Sequence, residues 1–151
     1  MNIKILSVGL FKNSEYKSIF FDYISKLSWK VELKELKPSK HKNPLIRAEK
    51  DSNNLLKNVT KNEIIISLDK SGRNLSTENL NQLIAEYRLD NRSIAFLIGG
   101  PDGISIECLE KSNLIISFGK MTWPHLLARL MLAEQLYRVS SIISKHPYHR
   151  N

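Results

Sequence analysis

Short apolar runs alternate with longer amphipathic stretches along the whole chain. Ile3 to Val8 is apolar apart from Lys4 and Ser7 and closes on Gly9, which predicts a first strand. From Ser14 to about Leu27 the residues Tyr16, Ile19, Phe20, Tyr23, Ile24 and Leu27 recur at three- and four-residue spacing, the period of a helix. Trp29 to Leu36 alternates apolar and charged positions, as a half-exposed strand does. A basic loop bounded by proline, Lys37 to Pro44, precedes a polar helix from about Leu45 to Asn58. Ile64, Ile65 and Ile66 centre the next strand, which is expected to end at Ser67-Leu68-Asp69, with Lys70 to Ser76 as a loop. Thr77 and Glu78 open a helix to about Tyr87, and Ser93 to Ile98 forms a strand. A short helix from about Ile104 to Lys111, a strand from Asn113 to Phe118 and a long helix from Pro124 to about Ser140 complete the pattern. Thr122 is placed to cap that last helix, with Pro124 in its first turn.

Strands alternating with helices imply an α/β sheet with substantial parallel pairing. The runs EIII and IAFLI are apolar at successive positions, as strands covered on both faces require. No internal repeat or linker interrupts the 151 residues, so residues 1–151 read as a single domain. The balance of 23 Lys+Arg against 15 Asp+Glu, a formal charge of +8, suits a polyanionic partner such as nucleic acid, though a generic basic surface produces it too. One cysteine, Cys108, leaves no internal disulfide and no cysteine-based zinc site. No run approaches the twenty or so apolar residues of a membrane span. The chain therefore reads as soluble and cytoplasmic.

Ligands of open parallel sheets bind beyond the carboxyl ends of the strands. Three such ends stand out here: Leu68-Asp69, Gly99-Gly100-Pro101-Asp102-Gly103 and Phe118 to Thr122. Three of the chain's six glycines fall in the second. Glycine lets a backbone approach a flat cofactor closely, and it equally suits a tight strand-to-helix turn. The loop lacks the Gly-Lys-Ser/Thr of a phosphate loop and the early G-x-G-x-x-G of dinucleotide folds, which argues against a nucleotide-dependent oxidoreductase. The long helix is apolar around most of its circumference and so must be buried on more than one side, against the sheet and a second subunit. His125 and Arg129 share one of its faces and are candidate contacts to a polyanion. The basic residues Lys37, Lys40, Lys42, Arg47 and Lys50, with Arg73, Arg88 and Arg92 as a second group, are further candidates for phosphate contact. The tail Tyr148-His149-Arg150 brings together groups that stack, transfer protons and bind phosphate.

LIGGPDG, KMTWPHLLARLMLAEQLYR and a terminal HPYHR together resemble the bacterial ribosomal large-subunit pseudouridine methyltransferase H family of the SPOUT class. The likeness spans the chain and is strongest from Leu97 to Arg150. It implies a homodimer whose α/β fold is threaded as a trefoil knot. It also implies transfer of a methyl group from S-adenosylmethionine to N3 of a pseudouridine in 23S rRNA of the assembled ribosome, without a metal. Cofactor-binding positions carry over to Leu68, Gly99, Gly100, Phe118, Gly119, Lys120, Met121, Thr122 and Trp123. Trp123 stands where the family usually has a smaller apolar residue, and Asp102 replaces a common Glu or Asn. His149, Arg150 and Tyr148 are the catalytic candidates, His149 for the proton, Arg150 for a phosphate or developing anion and Tyr148 for the base. One subunit's tail is expected to complete the other's site. His125, Arg129, Lys40 and Lys42 are the candidate RNA contacts. A non-catalytic RNA- or ribosome-binding protein on the same fold is the alternative.

Overall fold

A computed structural model describes residues 1–12 and 15–149. The expected start of the first helix at Ser14 and the candidate Arg150 lie outside the described residues. The strands are β1 (Asn2–Val8), β2 (Lys30–Leu36), β3 (Glu63–Asn74), β4 (Ser93–Ile98) and β5 (Leu114–Ser117). The helices are α1 (Glu15–Ser25), α2 (Pro44–Lys57), α3 (Thr77–Leu89), α4 (Ile106–Glu110) and α5 (His125–Ile143). They build one sheet in the order β2-β1-β4-β3-β5, parallel throughout.

Strand parity decides the two faces. Ile3, Ile5, Ile64, Ile66, Ile94 and Phe96 point to one side, where α1, α3 and α5 cover them with Phe20, Leu80, Ile84 and Leu132 among others. Leu6, Val8 and Leu97 point to the other, against Leu55 of α2 and Cys108 of α4. β4, at the centre, is buried from Ile94 to Ile98, which is why its sequence shows no alternation.

Two expectations need correction. Residues Lys70 to Ser76 do not form a simple loop, because β3 runs on to Asn74 and its Arg73 and Asn74 pair with Ile116 and Ser117 of β5 after an irregularity from Leu68 to Arg73. Backbone groups make that pairing, so the polar run KSGRN gave no apolar signal for it. Asp69 folds the irregular stretch by accepting from the backbone N–H and hydroxyl of Ser71. Thr122 does not cap α5: Pro124 occupies the N-cap position and no side-chain cap bond forms there.

Candidate functional site

The irregular stretch of β3 at Leu68, Asp69 and Lys70, the carboxyl ends of β4 and β5 and the segments that follow those two strands surround a cavity of about 730 Å³, a size in the ordinary range for small-molecule sites. Leu68, Gly99, Gly100, Phe118, Gly119, Met121, Thr122 and Trp123 all line it. Lys120 is exposed and outside the lining. At Gly99 a Cβ would stand 2.6 Å from the carbonyl of Gly103 and 2.9 Å from Ile104, so only glycine lets the loop fold back this closely. A bond from the Gly103 N–H to the Gly100 carbonyl, 3.0 Å, closes the fold. The β5 segment is closed in its own way. Ser117 donates to the Gly119 carbonyl at 2.7 Å, and the Trp123 indole donates to the Phe118 carbonyl at 3.2 Å.

The walls fit a flat, amphipathic ligand. Ile98, Ile104, Ile116 and Phe118 supply apolar surface, and Asp69, Asp102, Thr122 and His125 are among the polar residues of the lining. Met121 and Trp123 keep 71% and 38% of their surface exposed at the rim, unusual for such large apolar side chains in one loop. His125, at the first turn of α5, closes the wall next to Ala128. Burial first, and then the positive charge of Arg129, hold its imidazole below the usual value, so it is neutral at neutral pH and able to accept a proton.

Arg129 is not a surface contact, contrary to the expectation from sequence. Its side chain is fully buried and donates to Glu35 Oε1 at 2.9 Å and to the carbonyls of Val8 and Gly9 at 2.8 and 3.0 Å. The guanidinium lies 4.8 Å from the Phe11 ring centroid, and Glu35 also accepts the Phe11 N–H at 2.6 Å. A Cβ on Gly9, whose φ is +98°, would meet His125 Nε2 at 3.0 Å and Arg129 Nη2 at 3.2 Å. Both α5 residues thus do share one face, but that face is packed on the end of β1. Sequence reasoning missed Glu35, although a signal for burial existed. Arg129 lies in helical register with Leu132, Leu136 and Val139, all without exposed surface.

The tail packs elsewhere. The Tyr148 hydroxyl donates to Glu134 at 3.1 Å and lies 3.4 Å from that of Tyr23. Its ring stacks at a tilt on Tyr137, 4.6 Å between centroids, with Arg138 4.9 Å from the Tyr148 ring centre. Burial, the bond with Tyr23 and the charge of Glu134 push the phenol well above its ordinary value. His149 Nε2 lies 3.8 Å from Glu78 Oε1, and its Nδ1 is buried without a hydrogen-bond partner among the described residues. Neither residue lines the cavity of its own chain. They lie beside a second, mainly apolar hollow of about 580 Å³ between α1, α3 and α5, which shares Ile116, Ser117 and Phe118 with the first.

Lys40 and Lys42 are exposed. Arg47, from the same basic group, is instead engaged with Asp102 of the glycine loop. Among the described residues no cluster of His, Cys, Asp or Glu is arranged to hold a metal ion. No described helix is long and apolar enough to cross a membrane.

The family model described as "Predicted SPOUT methyltransferase" matches residues 1–149. The chain belongs to the SPOUT methyltransferase family. Within that family it is 38% identical over 159 residues to the ribosomal RNA large subunit methyltransferase H of Clostridium botulinum, covering 99% of this chain and 100% of that one. The enzyme of the same name from Rhodospirillum centenum is 38% identical over 153 residues, with 99% of each chain covered, and that of Coxiella burnetii 37% over 155 residues. Two solved structures share the fold at 12% identity. A probable methylase family protein from Haemophilus influenzae gives a TM-score of 0.58 over 99% of this chain and 70% of that one. One from Neisseria gonorrhoeae gives 0.53 over 98% of this chain and 95% of that one. In this SPOUT methyltransferase the eight lining residues carried over from the family thus occur together around a single cavity.

Proposed function

We propose that the chain, as one domain, transfers a methyl group from S-adenosylmethionine to N3 of a pseudouridine in 23S rRNA of the large ribosomal subunit, in the cytoplasm and as a homodimer with the family's knotted threading. The observation that carries this reading is the cavity between the irregular stretch of β3 and the ends of β4 and β5, in a chain similar over its whole length to enzymes named for methylating large-subunit rRNA. When bound, the donor supplies an electrophilic methyl carbon on a sulfonium.

Leu68, Gly99, Gly100 and the 118–123 segment hold the donor's adenine and ribose through backbone groups and apolar walls. The imide N3 of pseudouridine is a weak nucleophile until its proton leaves, so a base or an anion-stabilising cation must stand beside it. His149 is the first candidate for that proton. Neutral His125 on the cavity wall is the second. Arg150 is assigned to the anion or a phosphate and Tyr148 to the base.

A second copy accounts for where the tail lies. Ile19 of α1 keeps 45% of its surface exposed beside half-buried Leu127, Leu130 and Met131 of α5, and Tyr16, one turn earlier on α1, keeps 43%. An apolar patch of this kind marks an association surface. Joining two copies there sets each tail at the seam, from which it can reach the partner's cavity. Methylation of intact ribosomes against naked 23S rRNA, with labelled donor, tests the function, and product on ribosomes is expected. Product on neither substrate would leave a non-catalytic RNA-binding protein. Deleting Tyr148 to Asn151 is expected to abolish methylation while donor binding persists, and full activity in that truncation would end the tail's catalytic role.

A further inference from the structure

Helix α2 carries a polar row that grips two loops at once. The Arg47 guanidinium makes a two-point bond to Asp102, Nε to Oδ2 at 2.7 Å and Nη2 to Oδ1 at 2.9 Å. Its Nη1 donates to the carbonyls of His41 and Lys42 at 2.9 and 3.0 Å. One turn on, Asp51 accepts the Ser39 N–H at 2.7 Å, and its other carboxylate oxygen lies 3.7 Å from where a Cβ on Gly100 would stand. Ser52 accepts the Ser105 N–H at 2.8 Å.

On one side, then, α2 holds the loop that walls the donor cavity. On the other it holds the basic loop that follows β2, through the backbone groups of Ser39, His41 and Lys42. The side chains of Lys37, Lys40 and Lys42 stay exposed. Ammonium groups presented from an anchored backbone suit the phosphates of a nucleic acid strand. Only a planar, five-donor guanidinium satisfies a carboxylate on one edge and two carbonyls on the other.

We propose that Arg47 is a positioning residue that joins the lysine loop and the donor-cavity loop into one unit, so that RNA binding at Lys40 and Lys42 and donor binding beside Asp102 strengthen each other. The inference rests on the reading of the cavity as the donor site. Because binding free energies are linked, the effect must run in both directions.

Each variant is read at the site it does not touch. Arg47 is absent from the cavity lining, so Arg47→Gln is measured for affinity toward S-adenosylhomocysteine by calorimetry. A loss of about tenfold is expected, an ordinary size for coupling between sites, with Arg47→Lys in between. Asp102→Asn is measured for binding to purified large ribosomal subunits at fixed salt. Removing a negative charge beside a basic surface would by charge alone tighten that binding, whereas the proposal requires it to weaken. The side chains of the pair keep 28% and 21% exposure, and thermal melts establish that the variants are folded. Unchanged donor affinity in Arg47→Gln, or unchanged or tighter subunit binding in Asp102→Asn, would overturn the proposal. Failure of the wild-type protein to bind S-adenosylhomocysteine would instead overturn the donor-site reading beneath it.

Discussion

Replacing Arg129 with Met separates the two roles this residue can have. Met roughly fills the space but removes every donor to Glu35, Val8 O and Gly9 O. Breaking a buried ion pair from one side costs about 3–5 kcal/mol. Glu35 keeps 24% side-chain exposure and regains some water, which trims that cost. The two carbonyls lose their charged donor, at about 1–3 kcal/mol for each group left bare. The opposing corrections leave a net loss of about 3–5 kcal/mol. At about 2–4 °C per kcal/mol for a chain of this size, the melting temperature falls by roughly 6–20 °C. Thermal and urea denaturation measure this at one fixed protein concentration, because the midpoint of the proposed homodimer would depend on it. Adding Glu35→Gln to Arg129→Met should cost less than the sum of the single changes, since the pair is lost only once. A melting temperature within about 2 °C of wild type, together with weakened ribosome binding, would refute the buried role and return Arg129 to the RNA-facing surface.

Two further outcomes follow from titratable groups. Burial raises the Cys108 thiol to about 11, so at pH 8 a thiol-specific disulfide reagent should label the native protein negligibly and the urea-unfolded chain rapidly. His125 has a folded value below its ordinary 6.5, so the unfolded chain binds the proton more readily. Stability should therefore fall as pH drops through about 6.5 toward the lower folded value, and His125→Gln should flatten that slope in pH-dependent urea melts.

Much of the fold is local and therefore legible along the chain. Alternation and helical spacing place every strand and helix, because burial on one face or two writes itself into neighbouring residues. The unbroken run IAFLI marks β4 as central, and the glycine loop marks one wall of the cavity. The continuation of β3 to Asn74 is different, because backbone pairing with β5 carries no side-chain pattern. The partners of Arg129 and Arg47 were equally invisible. Glu35 and Asp102 lie 94 and 55 positions away in sequence, and nothing in either local stretch marks such a pairing. Where the tail rests was also settled only by packing, since Tyr148 finds Glu134, Tyr137 and Tyr23 on two helices that meet only in the folded chain. The sequence by itself determined the succession of elements, their α/β class and eight of the residues that line one cavity. Tertiary structure decided which of the charged residues are spent holding the chain together, because burial and distance, not residue type, set what an arginine can reach.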